Sequence, residues 1–415
     1  MAITIQSSPA AYTSVHGDAL FVVCDIVKAS DPVTYPDYRY ICDVYVGATL
    51  VTRLKSYPHP DNKMGVFNVG NILRNYVAAN FNPTALALRA QEMGLNEFYI
   101  TATMKFGEEY NYVTYTNVTV DTARNYFNHY DGRKLGVNSN LANYANKVLT
   151  TRVLNTIVDL PTASSLGYPV DENNVNNYVP FLPDATGAIT LRITSFTKSG
   201  TQINTQDHST SPTAANTLQS YNLSPTAINT AYPGLIPLTV ASYYTVQFLS
   251  PHIAVDKVIK FDLTCENKHE VYTIHFLNKL GGFESRNFNK VSRKVIDVER
   301  SEFGKLGFTL DSSGVVSYKN SNNVYNDTRT VFSTSYKEKL TLNTDVLTDV
   351  EYTWLGDLIL SPMVYLEMLD ETDNIYFVPC VIENNNYEPK KRINDQLTNL
   401  TINVEFGEVY NSQFR

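Results

Sequence analysis

With 415 residues, the chain is long enough for about two to three domains, each able to bury a core of its own. Acidic residues outnumber basic ones, 41 to 33, and the formal net charge of −8 opposes a broad electrostatic surface for nucleic acid. The 29 Tyr and 19 Phe against one Trp favour sheets and interfaces, because these rings suit strands and combine apolar area with a polar edge.

The amino-terminal sequence MAITIQSSPA has neither the basic start nor the apolar core of a signal peptide. No apolar run approaches the roughly 20 residues that a membrane helix requires. We therefore expect folding in a cytoplasm and no membrane span.

The four cysteines each lie in an apolar run, such as FVVCDIV or YICDVYV. This setting predicts buried free thiols. A disulfide between Cys24 and Cys42 is the alternative, and it would require two neighbouring strands in register. The cysteines are Cys24, Cys42, Cys265 and Cys380.

Residues 1–125 are predicted to form an N-terminal β-sandwich-like domain, because short apolar runs alternate with turn-rich segments such as SDPVTYPD. Between the strands, Asn68 is predicted to cap a helix that ends before Asn82-Pro83, since its apolar residues recur at a helical period. A second short helix is predicted from Thr84 to Gly94.

Residues 126–185 are crowded with Asn, Tyr, Asp, Pro and Gly, and they predict an Asn-rich connector or arm. Loops of this length are uncommon inside compact domains unless they are functional, so contacts with a partner subunit are one interpretation. A solvated linker is the other.

Residues 186–415 are predicted to form one or more C-terminal β-rich domains with a helix near 345–360. The Ser/Thr/Asn-rich stretch from Lys198 to Asn229 is predicted to be an exposed hairpin or flexible loop. Thr344 or Asp345 is expected to cap the helix, and Ser361-Pro362 to end it. After it, VYLEML and IYFVPCVIE predict a hairpin, and LTNLTINVEFGEVY predicts a last strand with Leu400, Ile402, Val404 and Phe406 inward.

The stretch from Val271 to Arg300 predicts a strand, a turn at Gly281-Gly282 and two further strands, because its apolar residues alternate with a period of two. It presents no reacting group. The predicted fold class is therefore mainly β, with two or more β-sandwich-like domains, a few short helices and long connecting loops.

No nucleophile motif, phosphate loop or dinucleotide fingerprint occurs, so no catalytic residue and no cofactor are predicted. Paired acids could serve a glycosidase, which leaves no short motif. The first two of three such pairs are most simply solvated turns, and Asp297 and Glu299 share a strand face with Arg293 nearby. The pairs are Glu108-Glu109, Asp370-Glu371 and Asp297/Glu299.

The histidines predict no metal site. His269 and His275 share a face of one predicted strand but lie roughly 20 Å apart at about 3.3 Å per residue. His59 is a lone loop histidine between two prolines.

Acidic residues are interleaved with the densest basic cluster, so the pattern favours cross-strand ion pairs over a nucleic-acid surface. Lys390-Lys391-Arg392 is a short, solvated group. Exposed tyrosines could stack on sugars or pack on subunits. The cluster comprises Arg286, Lys290, Arg293, Lys294, Arg300 and Lys305.

Four segments together resemble virion proteins of tailed bacteriophages, including crAss-like and related phages. They are YRYICDVYVGATLVTRLKSYPHPDNKMGVFNVGNILRNYV, IHFLNKLGGFESRNFNKVSRKVIDVERSEF, WLGDLILSPMVYLEM and IENNNYEPKKRINDQLTNLTINVEF. The resemblance implies a β-rich tail, neck or collar component present in many copies. Residues 126–185 and the Ser/Thr-rich stretch have no counterpart in it.

We therefore expect a structural virion protein of the tail, neck or tail-tip region, located in the virion. Its expected partners are copies of itself and other phage tail, neck or portal-region proteins. The alternatives are an adhesin that binds host surface glycan and, less favoured, a glycan depolymerase.

Overall fold

The computed structural model describes the chain except residues 1–2, 11, 130–140, 153–166, 184–186, 212–213, 251–256, 265–267, 346, 373, 384–398, 408–409 and 414–415. The fold is mainly β, with 49% strand and 10% helix, and its sheets form several β-sandwich-like layers. The predicted fold class is confirmed.

The chain divides into two compact units. The first contains Met1–Glu266 and His275–Asn287, and the second contains Asn267–Ile274 and Phe288–Arg415. The predicted domain limits near residues 125 and 185 remain predictions.

A two-layer sandwich forms the amino-terminal part of the first unit. One layer has the strand order β1-β3-β6, and the other has the order β2-β10-β8-β4-β5, with β9 also paired to β8. Phe21 and Phe67 from the first layer share one buried cluster with Val44, Ile100 and Phe106 from the second. The strands of these layers are β1 Thr4–Ser7, β2 Thr13–Ser14, β3 Leu20–Cys24, β4 Arg39–Val46, β5 Thr49–Ser56, β6 Gly65–Asn68, β8 Tyr99–Tyr110, β9 Val113–Val120 and β10 Arg124–Phe127. Strand β7, Arg89–Met93, belongs to a different sheet.

A second pair of sheets in the first unit encloses another core. One has the order β11-β13-β16-β7 and the other β12-β18-β17-β14-β15. Phe181 and Tyr221 of the first sheet and Leu191, Val246 and Phe261 of the second belong to one buried cluster. The strands of these two sheets are β11 Lys147–Val148, β12 Tyr168–Asp171, β13 Tyr178–Leu182, β14 Ile189–Phe196, β15 Gln202–Thr210, β16 Leu218–Asn222, β17 Tyr243–Leu249 and β18 Ile259–Thr264, together with β7. The next strands along the chain, β19 Tyr272–Leu277 and β20 Phe283–Phe288, pair with each other and belong to neither sheet.

The second unit is built on a sheet whose strand order includes β25-β26-β27-β24-β21, with β28 also paired to β24. Leu342, Ile402 and Val404 are fully buried in it. The strands are β21 Arg293–Gly304, β22 Thr309–Leu310, β23 Val316–Ser317, β24 Arg329–Asn343, β25 Val364–Leu369, β26 Ile375–Ile382, β27 Thr401–Phe406 and β28 Tyr410–Gln413.

The helices are few and short. The longest begins after Thr348, whose hydroxyl accepts from Glu351 N while the Glu351 carboxylate accepts from Thr348 N, which makes a complete capping box. It ends at Ile359, before Ser361-Pro362, so the predicted helix near 345–360 exists. The predicted cap is wrong, because the helix begins at Asp349 and is capped by Thr348, not by Thr344 or Asp345. The helices are α1 Ile26–Ala29, α2 Gly70–Leu73, α3 Pro225–Ala231 and α4 Asp349–Ile359, with 3₁₀ turns at Arg74–Tyr76 and Leu141–Tyr144.

Two helix predictions in the amino-terminal part need correction. The helix after Asn68 is only α2 and its 3₁₀ extension, which stop at Tyr76 because Val77 is extended. The helix from Thr84 to Gly94 is wrong, since this segment carries β7, which pairs with β16. Cross-strand burial of Met93 against Leu218 outweighs its local helix propensity.

The Ser/Thr/Asn-rich stretch is only partly the exposed hairpin that was predicted. Strand β15 pairs with β14 and is largely exposed, which confirms the hairpin. Strand β16 is fully buried, which contradicts the prediction for that part. The amide nitrogens of this strand have distant acceptors, because Gln219 Nε2 donates to Glu92 Oε1 at 2.7 Å and Asn222 Nδ2 donates to Asn176 Oδ1 at 2.9 Å.

Within residues 126–185, the described parts contain strands of the second sandwich. Strand β13 pairs with β16, and Phe181 and Leu182 are buried. Whether the remainder serves as an arm between subunits stays a prediction.

The predicted strand, glycine turn and two strands after Val271 are confirmed as β19, β20 and β21. Gly281 has φ +93°, and a Cβ there would collide with Asn128 O. Only glycine fits, because the left-handed backbone and the close approach both disfavour a side chain.

Three cysteines are buried free thiols, as predicted. Burial raises the pKa of Cys42 and, for Cys380, raises it to about 12, which opposes thiolate chemistry. The alternative disulfide between Cys24 and Cys42 is not formed. Cys265 lies outside the described residues.

The carboxyl-terminal predictions are largely confirmed. Strands β25 and β26 form the predicted hairpin from Val364↔Cys380 to Leu369↔Ile375. The predicted last strand corresponds to β27, although β28 follows it. In β27 and at Leu400 just before it, three of the predicted inward residues are buried, and Phe406 is half-buried. The buried residues are Leu400, Ile402 and Val404.

Candidate assembly surface

The most unusual surface of the second unit is a two-stranded ribbon formed by β21 and β24. The strands pair antiparallel from Arg293↔Thr341 to Gly304↔Arg329, with one irregularity between Ser301 and Glu302. All twelve residues of β21 are exposed. A half-buried strand alternates between buried and exposed residues, so exposure on both faces is unusual for an apolar strand.

The exposed residues of β21 include four large apolar side chains. Val295 points to one face of the ribbon, whereas Ile296 and Val298 point to the other, because successive side chains alternate. Their exposed fractions are 46%, 51% and 43%, and that of Phe303 is 49%. Such a concentration of exposed apolar groups makes this ribbon a candidate interaction surface.

Several ion pairs stabilise the ribbon. Lys294 Nζ lies 2.7 Å from Glu338 Oε2 across the two strands. Lys339 Nζ lies 2.7 Å from Glu383 Oε1 and 3.0 Å from Asp297 Oδ2, and hydrogen bonds to these two carboxylates raise the pKa of Lys339. Because these pairs are exposed to solvent screening, they fix the register more than they add stability.

Three of the six charged residues of β21 form such ion pairs. Asp297, Lys294 and Glu302 have ionic partners on or beside β24. Among the residues that the structure describes, no opposite charge lies within 4.0 Å of the other three, and they are available to a second molecule. They are Arg293, Glu299 and Arg300.

The ribbon ends in residues 305–328, which we call the tip. Two tight loops shape it. Asp311 Oδ1 accepts from Ser313 N at 2.8 Å and from Val315 N at 2.9 Å, and Asn320 Oδ1 closes a similar loop by accepting from Val324 N. Side-chain closure of this kind holds a loop without burying a core.

The tip also exposes large side chains that the sequence analysis did not single out. Between its turn residues lie short apolar groups, and that alternation is the signal that could have identified them. Lys319 Nζ lies 4.7 Å from the centre of the Tyr325 ring, a cation–π contact at the surface. The exposed residues are Leu306, Leu310, Val315, Val316, Tyr318, Val324 and Tyr325.

The structure does not bring the candidate acid pairs together into one site. Glu108 is buried inside β8, where it pairs with Lys28 Nζ and accepts from the Tyr38 hydroxyl at 3.1 Å. The prediction of a solvated turn for Glu108-Glu109 is therefore wrong, because the strand continues through it and the half-buried Lys28 pairs with the Glu108 carboxylate.

The other two pairs are as predicted. Asp370-Glu371 lies in the turn of the β25–β26 hairpin, where Asp370 Oδ1 accepts from Thr372 N at 2.8 Å and Asn374 N at 2.9 Å. Hydrogen bonds from the Asn374 and Thr372 backbone and side chains lower the pKa of Asp370 to about 2. Asp297 and Glu299 share a face of β21, and that face also carries Arg293.

The three histidines lie in different environments, and His269 and His275 are not on the same strand. His275 is fully buried in β19, with its Nδ1 2.8 Å from Ser285 Oγ. His269 precedes that strand, so the predicted shared strand face is wrong. His59 lies in a loop as expected. In the described part of the chain, no group of three or more His, Cys, Asp or Glu residues is placed to hold a metal ion.

The basic cluster is divided by the fold. Arg286 is buried in β20, whereas Lys290 lies 3.3 Å from Asp345. The predicted cross-strand ion pair is confirmed for Lys294. Lys305 Nζ lies 3.6 Å from Asp327 Oδ2, but both residues are in the tip and not in the paired strands. Lys390-Lys391-Arg392 lies outside the described residues.

A search of protein-family models and of curated proteins finds no match to the chain. Over the described ranges, no helix has the length and apolar character to cross a membrane.

Proposed function

We propose that the chain is a structural virion protein of a tailed bacteriophage, a multi-copy tail, neck/collar or tail-tip component that assembles through symmetric subunit contacts. The observation that carries the proposal is β21, a twelve-residue strand exposed on both faces. In the described part of the chain β21 is also the end strand of its sheet, and an exposed edge strand is a template for association that soluble proteins shield or use.

The exposed apolar side chains of β21 and the tip support the proposal that the chain assembles. Fully burying a valine, isoleucine or phenylalanine side chain stabilises by about 1.5–3 kcal/mol relative to exposure. Four such residues on β21, together with those on the tip, would therefore contribute several kcal/mol to an interface. Copies held in a particle would cover this surface continuously.

The assignment to a phage virion is supported by the sequence resemblance. The first two resembling segments include β4, β5 and β6 and then β19, β20 and β21, and the third covers the end of α4 and β25. The resemblance thus includes the exposed strand itself. The virion location, the partner proteins and the absence of enzymatic activity are parts of this proposal.

An adhesin is the second candidate, and a cleft in the first unit favours it. The cleft has a volume of about 430 Å³ and combines an aromatic stack with polar groups suited to sugar hydroxyls. Tyr12 and Phe127 stack with ring centres 5.1 Å apart. Arg124 is held beside them by Asp121 at 2.6 Å, and Asn125 and Asn216 supply amides.

Two measurements test the proposal. Antibodies against the full-length chain should label purified particles of the phage that encodes it, at a repeating position. Light scattering of the purified chain at two concentrations should reveal a discrete oligomer. Particles that lack the chain would overturn the virion assignment.

A glycan screen separates the second candidate from the first. Binding of a host surface glycan that is lost in Tyr12→Ala and retained in Tyr57→Ala, a tyrosine exposed elsewhere in the first unit, would favour the adhesin. Release of reducing sugar in the same assay would indicate a depolymerase.

A further inference from the structure

The open edge of β21 offers backbone hydrogen bonds as well as side chains. In the described part of the chain, β21 is the last strand of its sheet and pairs only with β24. A second strand could therefore add to this edge, which is a common mode of association between chains. The question is which strand fits.

The hydrogen-bond alternation shows which residues of β21 face outward. Thr344 N donates to Leu400 O at 2.9 Å, so even-numbered residues at this end of β24 bond to β27. Odd-numbered residues such as Lys339 therefore bond to β21, where Lys339 faces Val295. It follows that even-numbered residues of β21 turn their amide and carbonyl groups to the open edge. Before the irregularity they are Lys294, Ile296, Val298 and Arg300.

We propose that two copies of the chain pair antiparallel through this edge, with Ile296 of each copy on the two-fold axis. The inference rests on the proposed function, because it names the partner and geometry of that assembly. A two-fold axis perpendicular to the sheet keeps each ribbon face aligned with the same face of the copy. Residues of like parity then lie opposite each other.

Charge selects the register. Axes through Arg293, Lys294, Asp297, Glu299 or Arg300 would each place a charge against its own copy. An axis through Val298 would place Asp297 opposite Glu299, and both are acidic. An axis through Val295 would pair Arg293 with Asp297, which Lys339 already engages.

The axis through Ile296 has none of these faults. It places Arg293 opposite Glu299 twice, once at each end of the paired segment, and these residues have no ionic partner of their own among the described residues. Both are odd-numbered, so they form a non-hydrogen-bonded pair, in which side chains approach most closely. The apolar Ile296 side chains meet at the centre, with Val298 opposite the stem of Lys294.

Cysteine substitution at the axis tests this register. In Ile296→Cys, the two Cα atoms would lie about 5.5 Å apart, within disulfide range. Mild oxidation of the full-length chain should therefore give a disulfide-linked dimer. The wild-type chain is the first control.

Val298→Cys is the matched control, since it is apolar, similarly exposed and on the same face. Its two copies would lie four residues apart along the paired strands, roughly 13 Å, which is too far to link. Linking by Val298→Cys without linking by Ile296→Cys would overturn the proposed register.

A charge exchange supplies an independent readout. In the Ile296→Cys background, Arg293→Glu or Glu299→Arg places two like-charged pairs at the interface and should reduce the rate of dimer linking roughly tenfold. The double substitution should restore that rate to within about twofold. If the double substitution links as slowly as the singles, the pairing of Arg293 with Glu299 is wrong.

The outcomes separate this inference from the proposed function. An oligomer in light scattering without linking at Ile296 would overturn the edge pairing and leave assembly through another surface. Antibody labelling of virus particles without disulfide linking at Ile296 would likewise overturn the edge pairing and leave assembly through another surface. Linking at Ile296 in a chain that is absent from virus particles would support the pairing and overturn the virion proposal.

Discussion

Gly281 occupies a position where two constraints on the backbone coincide. Its φ of +93° is left-handed, and a Cβ would collide with Asn128 O. We expect Gly281→Ala to lower the unfolding free energy of the first unit by at least about 2 kcal/mol, from backbone strain and steric overlap together. Hydrogen exchange measured by mass spectrometry should show faster exchange in β19 and β20.

Gly47→Ala is the matched control. Gly47 also has a left-handed backbone, with φ +57°, but a Cβ there meets no atom within 4 Å. Its cost should therefore be only the intrinsic one of about 1–2 kcal/mol. Equal effects at the two positions would show that the contact with Asn128 is unimportant.

Asp370 gives the second unit a pH dependence. Backbone and side-chain hydrogen bonds lower its pKa from 3.8 to about 2. A carboxyl with a depressed pKa in the folded state contributes stability that is fully present above the unfolded value and is lost as pH falls from about 3.8 through about 2. We expect Asp370→Asn to lower the urea midpoint at neutral pH and to approach the wild type near pH 2.

The single tryptophan makes this measurement specific, because Trp354 lies in α4 of the second unit and reports its unfolding. The control is Glu371→Gln, an exposed neighbour whose carboxylate accepts no hydrogen bond within the described turn. It should leave the pH profile of the midpoint unchanged. If Glu371→Gln changed the pH profile of the urea midpoint as Asp370→Asn does, the pH dependence would come from the net charge and not from the hydrogen bonds of the turn.

At the scale of elements, α4 depends on its capping box. Thr348→Ala removes the hydroxyl that accepts from Glu351 N, and we expect a loss of about 1 kcal/mol in the unfolding free energy reported by Trp354 fluorescence. Thr353→Ala changes the same residue type on the exposed side of the same helix. It should be neutral or slightly stabilising, because alanine favours helix interiors. A similar loss in both variants would contradict a special role for the cap.

The elements that the sequence predicted correctly are those whose signals are local. The α4 helix follows from the helical spacing of Val350, Trp354 and Leu358, and the β25–β26 hairpin follows from alternation across a turn. The buried strand β16 could not be predicted in this way. Its Gln219 and Asn222 are tolerated in a core because residues more than 40 positions away accept hydrogen bonds from their amide nitrogens.

The ribbon was predictable in part. Alternating residues predicted a strand after Val291 and the shared face of Asp297 and Glu299, and both are present. The exposure of both faces could not be predicted, because alternation of apolar and polar residues along a strand ordinarily indicates that one face is buried. The identity of the neighbours decides burial, and for β21 the only described neighbour is β24.

At the scale of the whole molecule, the exposed apolar residues of the ribbon should control association without controlling the fold. We expect the triple variant Val295→Thr, Val298→Thr and Phe303→Thr to keep its strands, since threonine favours sheets and these positions lie outside the cores. Removing their apolar area should weaken self-association at least about tenfold. Light scattering over a concentration series measures this loss, and Trp354 fluorescence verifies folding.

A matched triple variant tests whether exposure alone is responsible. Val33, Val240 and Leu360 are apolar residues at least as exposed, and they lie outside the ribbon. Threonine at these positions removes a comparable apolar surface but leaves β21 intact, so the mass distribution should match that of the wild type. If the two triple variants weakened self-association equally, association would depend on the total exposed apolar surface. The ribbon would then not be the assembly surface.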